Sequence, residues 1–329
     1  MSTDPGLLHA YVLDGKGRGK KLEDLAEVTR WKPIDGVLWV NLDYAVPEAS
    51  TWLHERSNID NVMREALTDN DPRPRVVLHG GTDLLLIARG INVNKGSEPE
   101  DMVSIRVYID ENRIITMRHR PSRSLKSIAA DLDRYHGPKD VAEMLVQLVD
   151  RIVDGVVHRV DALSDAIAAL EDQVLTEARP GHLRAQIADH RRRAIALRRF
   201  LAPQREALTK LVTIAYPGFT TSHREQFAEQ ADRMARTVEE LDAARDRASV
   251  TQEELSSRMG ELTNQRLYVL SMLTAVFLPL GFVCGLLGVN VGGVPFQKDD
   301  WAFWALIGVF VVGVWIQLWI FRKRGWLEK

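Results

Sequence analysis

Five side chains along one stretch have the types and spacing for divalent-cation chemistry. Asp150, Asp154, His158, Asp161 and Asp165 follow one another at intervals of 4, 4, 3 and 4 residues. A helix there carries four carboxylates and an imidazole on one face. Hard and borderline cations take such oxygen and nitrogen ligands, and one reading is a cytoplasmic site that senses a metal. The simpler reading is a solvated acidic face opposing the basic segment HLRAQIADHRRRAIALRRFLAPQREALTKL (182–211), whose arginines then pair with acids on neighbouring helices. A second group of residues is nearly free of charge. Gly288-Val289-Asn290 ends a long apolar run, and Gly292, Gly293 and Pro295 follow, with Asn290 the one strongly polar side chain of 283–295. An amide there offers a carbonyl dipole that can replace or hold part of an ion's water shell.

Other patterns fall short of sites. GKGRG (15–19) resembles a glycine-rich phosphate loop, but no amphipathic helix follows it, and the spacing fits neither a dinucleotide nor a P-loop fingerprint. His79-Gly80-Gly81 resembles a lipase oxyanion segment, yet no G-x-S-x-G accompanies it. The nine histidines are scattered without an H-E-x-x-H. With no nucleophile–base constellation, an enzymatic role is not expected. A net charge of −2 exerts no global pull toward nucleic acid or anionic lipid. Cys284 is the single cysteine, so no disulfide can form within one chain, and it reads as a small buried residue rather than a zinc ligand.

The elements that position these residues begin with two apolar runs. Residues 267–289 hold no charge over 23 positions and 302–321 none over 20, each enough for a helix to cross a hydrocarbon core of ~30 Å. Only the 12 residues NVGGVPFQKDDW (290–301) separate them, so the pair is a hairpin. Arg266 precedes the first run and Arg322, Lys323 and Arg324 follow the second; Trp301 and Trp304 mark one interface, Trp319 and Trp326 the other. By the positive-inside rule both ends face the cytoplasm and the loop faces out. The N-terminal residues lack the pattern of a signal peptide, which agrees with a cytoplasmic N-terminus. Neither run carries an ionisable group, so proton pumping or a salt-bridged carrier lacks its usual parts. An ion crossing here exchanges water for carbonyls, amides and hydroxyls. Two helices cannot enclose a pore, so an aqueous path needs several copies.

Upstream, the chain reads as a cytoplasmic α/β domain (1–138), a helical bundle (139–221) and a stalk helix (222–266). The first transmembrane helix (267–289), the external loop (290–301), the second transmembrane helix (302–321) and a basic tail (322–329) complete it. In 1–138, LLHAYVLDG, VLWVNLD, RVVLHGG, DLLLIARGI, SIRVYID and RIITMR read as strands, interleaved with helix-like PEASTWLHERS, NVMREALTD and SLKSIAADLDRYH. The class is α+β with a mixed sheet. Two helices, 139–177 and 181–214, form the bundle. The stalk lacks Pro, starts with a capping box on Ser222 and Glu225, and repeats Phe227, Met234, Leu241, Ala248, Leu255 and Leu262 every seven residues. Such a repeat is a coiled-coil or helical-bundle signal. Without a breaker before the first span, 222–289 reads as one helix.

VFLPLGFVCGLLGVN (276–290), the basic helix RRRAIALRRFLAPQREAL (191–208), the tail RKRGWL (322–327), DPRPRV with its strand pair (71–91) and the strand RVYID (106–110) together resemble the CorA metal ion transporter family. Gly-Val-Asn, in GVNVGGVP, is closer to the zinc-transport branch than to the Gly-Met-Asn of the magnesium branch. The likeness covers essentially the whole chain. It implies a homopentamer with a cytoplasmic funnel, a long stalk helix and two spans per subunit in the bacterial inner membrane. The first span lines a central pore, which places Asn264, Leu267, Ser271, Thr274, Leu278, Gly281 and Gly285 on the pore face. Gly281 departs from the hydroxyl residue expected at its place and removes a ligand there. The likeness further implies a hydrated divalent cation held by a ring of Asn290 amides, next to Gly288 and Val289. Asp299 and Asp300 would concentrate cations outside, and Leu267 and Leu278 would be hydrophobic constrictions. The implied partners are further copies of the chain, membrane lipid and metal ions, with no nucleic acid and no cofactor besides the transported ion, zinc foremost. The residues leave open the same scaffold carrying Mg²⁺, Co²⁺ or Ni²⁺, a non-conducting membrane-anchored coiled-coil protein and a tail-anchored enzyme. They also leave open passive against proton-coupled flow.

Overall fold

A computed structural model describes residues 4–70, 72–98, 100–178, 180–289, 299 and 301–323. It separates into two compact units, Met1–Glu253 and Glu254–Lys329.

The first unit is built on a seven-stranded sheet. Its strands are β1 (Leu7–Leu13), β2 (Gly19–Lys21), β3 (Val37–Asp43), β4 (Arg75–His79), β5 (Asp83–Gly90), β6 (Val103–Ile109) and β7 (Arg113–Arg118), in the order β2-β1-β3-β7-β6-β5-β4. Every neighbouring pair is antiparallel except β3 with β7, which run parallel, so the sheet is mixed. The alternation of VLWVNLD sorts β3 by face. Leu38, Val40 and Leu42 meet one layer of helices, α2 (Pro47–Glu55) and α3 (Asn61–Thr68), through Ala49, Trp52, Leu53, Met63 and Leu67. On the other face Trp39 stacks with Tyr11 at 5.7 Å and donates its indole N–H to Thr116 Oγ1 at 3.0 Å. The Tyr11 hydroxyl reaches Asp133 at 3.0 Å, at the end of α4 (Arg123–Asp133). All seven residues of β6 are buried, as a strand covered on both faces requires.

β6 also carries a charge. Arg106 is 0% exposed, donates to the Leu67 carbonyl near the C-terminal end of α3 at 2.5 Å, and lies 3.8 Å over the Tyr44 ring. Carbonyls in the last turn of a helix have no intrahelical donor, so the guanidinium does the work of a C-cap. Burial first of all pulls its pKa below the usual arginine value. A short helix α1 (Leu25–Arg30) with an Asp24 cap, and the strand β2, were not anticipated from the sequence. Both are too short to show a period.

Three long helices follow: α5 (Val141–Thr176), α6 (Leu183–Thr213) and α7 (Thr221–Leu287). Asp140 caps α5 by accepting from Glu143 N at 2.8 Å, and Glu143 reaches back to Lys139 N at 2.9 Å. The cap of α7 differs from the expected Ser222–Glu225 box. Thr220 Oγ1 accepts from His223 N, and His223 Nδ1 accepts from Thr220 N, both at 3.3 Å. The reciprocal geometry is that of a capping box, moved two residues upstream with histidine in the place of Glu. Phe227, Met234, Leu241 and Ala248 are at most 1% exposed. This part of the seven-residue seam is therefore spent inside the first unit, as in a helical bundle. The second unit holds the rest of α7, which runs on without a break, and α8 (Trp301–Lys323).

Two outcomes follow from this packing. Leu241→Ala removes a fully buried side chain from the seam and should cost about 2–5 kcal/mol, read as a lowered unfolding temperature of the detergent-solubilised protein. His9, stacked at 6.0 Å on Trp39, is held below the usual histidine value by burial and then by Arg118. The unfolded chain therefore binds the proton more readily, and thermal stability should fall as the pH drops through the unfolded value of about 6.5. In His9→Gln that pH-dependent loss should shrink, and an unchanged pH–stability curve would contradict the assignment.

Candidate functional site

The sequence-expected ion path lies on the second unit. The most apolar stretches of α7 and α8 are long enough to cross a membrane, and neither is buried within the chain. Buried helices of a soluble core would be covered; these are not. The two helices meet through one face each. On α8 the covered positions are Ala302, Leu306, Phe310, Val314 and Gln317 in part and Phe321 fully; on α7 Met272, Ala275, Val276, Leu280 and Val283 are partly covered. Both sets recur at helical spacing. A hydrogen bond joins them, from Gln317 Nε2 to the Ala275 carbonyl.

Asn264, Leu267, Ser271, Thr274, Leu278, Gly281 and Gly285 are all exposed, Leu278 by 70% and Leu267 by 54%. At roughly 100° per residue, the run from Leu267 to Gly285 centres about 160° around α7 from the face that meets α8. Pairing with α8 thus leaves this stripe uncovered. The Thr274 hydroxyl donates to the Leu270 carbonyl at 2.9 Å, which commits its proton to the helix and turns its lone pairs outward. A Cβ built on Gly281 or Gly285 meets nothing within 4 Å, so the chain's own packing does not demand glycine at either place. Gly288 is different. Its N–H closes a helical bond to the Cys284 carbonyl at 3.0 Å, and an added Cβ would sit 3.2 Å from that same oxygen. Val289 is exposed. Asn290, Gly292, Gly293, Pro295 and Asp300 lie outside the described residues. Asp299 is exposed, and its carbonyl accepts from Ala302 N at 3.1 Å, at the start of α8. Cys284, expected to be buried, is exposed, on the flank of the helix roughly 100° around from the face that meets α8.

The acidic face of α5 is not assembled as a metal site. Arg233 of α7 sits over its upper half, 3.2 Å from Asp150 and in closer contact with Asp154, while Gln230 donates to Asp150 at 2.8 Å. The hydrogen bond to Asp154 is the main cause that raises the Arg233 pKa above the usual value. His158 Nδ1–H donates to the Asp154 carbonyl at 2.8 Å, and Asp161 and Asp165 are exposed. Among the described residues no three His, Cys, Asp or Glu side chains converge as a cation would require. The neutralising arginine also differs from expectation: it comes from α7, not from α6. The α6 arginines pair elsewhere, Arg193 with Asp189 at 2.7 Å and Glu98 at 3.3 Å, and Arg198 with Asp242 at 2.5 Å. Hydrogen bonds from Arg192 and Arg193 hold the Asp189 carboxyl below the usual carboxylate value.

The family model of CorA-like Mg²⁺ transporter proteins matches residues 35–323. The divalent cation transporter CmaX of Pseudomonas aeruginosa is 36% identical over 324 residues, 98% of this chain and 97% of that protein. The zinc transport protein ZntB of Yersinia enterocolitica is 34% identical over 320 residues, 97% of this chain and 96% of its own. The solved structure of full-length CmaX superposes with a TM-score of 0.84 at 35% identity, covering 98% of this chain and 99% of that one.

With Arg233 over Asp150 and Asp154, Asp154→Asn should leave the Zn²⁺ binding isotherm of the purified protein unchanged. It should lower stability by about 1 kcal/mol or less, as for a partly exposed ion pair. A weakened isotherm would return metal binding to this face.

Proposed function

The chain belongs to the CorA family, and on that premise we propose that it carries divalent metal cations, zinc first among them, into the cell across the inner membrane. The observation that carries this reading is the exposed, uncharged stripe of α7 lying away from α8. A membrane anchor has no use for Asn264, Ser271, Thr274 and two packing-free glycines on its uncovered side. A helix lining water in a homo-oligomer does, and five copies around an axis would give a central path. Asn290 would then form a ring at the outer mouth. Amide carbonyls there hold a hydrated divalent ion through its water shell, firmly enough to select it and loosely enough to release it. Leu267 and Leu278 narrow the path with apolar side chains that gate by dewetting. Asp299 and Asp300 raise the local cation concentration outside.

The orientation rests on charge and aromatic placement. Arg322 and Lys323 close α8, and the Lys323 ammonium lies 5.2 Å over the Trp319 ring, an anchor suited to the cytoplasmic interface. Zinc is favoured by Gly288-Val289-Asn290 and by the zinc transport protein among the relatives. A second reading, Mg²⁺ with Co²⁺ and Ni²⁺ on the same scaffold, has its own support in the magnesium description of the family. Glycine and Asn side chains do not separate these ions by chemistry. Because 267–289 and 302–321 hold no titratable acid or base, a coupled proton would travel by water or with the ion.

Purified protein in liposomes, loaded against Zn²⁺, Mg²⁺, Co²⁺ or Ni²⁺ with and without a pH gradient, reads ion choice and coupling together. Asn290→Ala should lower Zn²⁺ uptake roughly tenfold, the kinetic equivalent of one lost acceptor interaction of ordinary strength. Wild-type uptake in that variant would sink the proposed mouth.

A further inference from the structure

Proline 279 stands inside α7, and the helix continues through it to Leu287. Its ring nitrogen carries no hydrogen, so the carbonyl four residues earlier, that of Ala275, loses its intrahelical partner. In water such a carbonyl would be solvated. At membrane depth it has only protein to turn to. Gln317 supplies the missing donor: its Nε2 bonds the Ala275 carbonyl across the helix pair. Residues 302–321 are otherwise alanine, glycine, aliphatic and aromatic, with tryptophan indoles as the only other side-chain N–H groups. Gln317 is thus the one amide in that run, and it lies on the face of α8 that meets α7. A polar side chain in such a run is costly unless it is bonded. Here one bond relieves both, giving the amide an acceptor and the bare carbonyl a donor.

The position of this bond gives it consequences beyond stability. Ala275 follows Thr274, and Pro279 lies between Leu278 and Gly281, all three neighbours belonging to the exposed stripe. The turn whose own ladder is incomplete is therefore the turn that presents those residues. We propose that Gln317 is a positioning residue for ion conduction: by hydrogen-bonding the Ala275 carbonyl freed by Pro279, it fixes the turn of α7 that orients Thr274, Leu278 and Gly281. This rests on the transport reading above, with the substrate ion passing along that stripe. Gln317 itself touches no ion.

The two partners make opposite predictions when changed together. Gln317→Leu leaves the carbonyl bare. Pro279→Ala restores an N–H at position 279, and the carbonyl then has its helical partner again. Zn²⁺ flux into liposomes, normalised to reconstituted protein, should fall roughly tenfold in Gln317→Leu, the size of one unsatisfied buried polar group. In Pro279→Ala/Gln317→Leu it should return to the level of Pro279→Ala alone. Flux at the wild-type level in Gln317→Leu overturns the proposal, and so does a double variant as impaired as Gln317→Leu. Should Gln317→Leu not assemble, Gln317→Glu takes its place. A protonated carboxyl still donates to the carbonyl and a carboxylate cannot, so flux in that variant should fall with rising pH more steeply than in the wild type. A parallel pH profile overturns the proposal. Unfolding temperatures of the same four proteins in detergent keep the two readings apart. If the wild type moves no divalent ion, the transport reading fails, and positioning for conduction falls with it, even where the thermal data still show the pair coupled. If the wild type conducts and the pair is coupled only in unfolding temperature, Gln317 is merely structural and this inference alone fails.

Discussion

A backbone carbonyl inside a bilayer has no water to bond, and the second unit is organised around that constraint. Both of its segments are helices, which satisfy their peptide groups internally. Neither holds a charged side chain in its apolar stretch. The one place where the helical ladder must fail, at Pro279, is the place where the neighbouring helix offers an amide. With that defect closed, α8 claims one face of α7 and leaves the other uncovered. The functional reading depends on this partition, because a stripe of hydroxyls, glycines and an amide is open only where α8 does not reach.

The first unit solves the reverse problem. Its sheet is covered on both sides, so polar groups have to be placed as carefully as apolar ones. Arg106 illustrates how. A guanidinium is brought to 0% exposure on a central strand, where it ends α3 through the Leu67 carbonyl and lies against Tyr44. Removing one side of such a buried arrangement leaves the other unpaired, so Leu67, Tyr44 and Arg106 constrain one another. The same economy appears at Arg233, which gathers Asp150 and Asp154 and so ties α7 to α5 by charge, on a helix whose Met234 and Leu241 are fully buried.

Much of this was legible in the sequence, for physical reasons. Charge-free runs of membrane length, the two-residue alternation of VLWVNLD and the seven-residue repeat from Phe227 are local signals, written in residues near one another in the chain. Features that depend on a partner far along the chain were not legible. Nothing near Asp150 announces Arg233, and nothing near Pro279 announces Gln317. Composition alone points the acidic face at the arginine-rich α6; helix packing instead brings Arg233 of α7 close to it. Ser222 with Glu225 fits the usual cap pattern and so predicts the start of α7 two residues late, whereas a histidine closing the box from Thr220 does not fit it. Strand β2 and helix α1 left no period to read.

The parallel pair β3–β7 has a further implication, for the order of events during synthesis. Leu38 pairs with Arg113, so the middle of the sheet cannot close until β4, β5 and β6 have also left the ribosome. Pairings of such long range are slow to form. Yet every residue of the first unit, including the part of α7 that completes its core, precedes the spans in the chain. A nascent chain can therefore expose the whole of its first unit before the first apolar run has left the ribosome. The slowest folding step is granted a head start over insertion, and the segment that would aggregate in water is the last to appear.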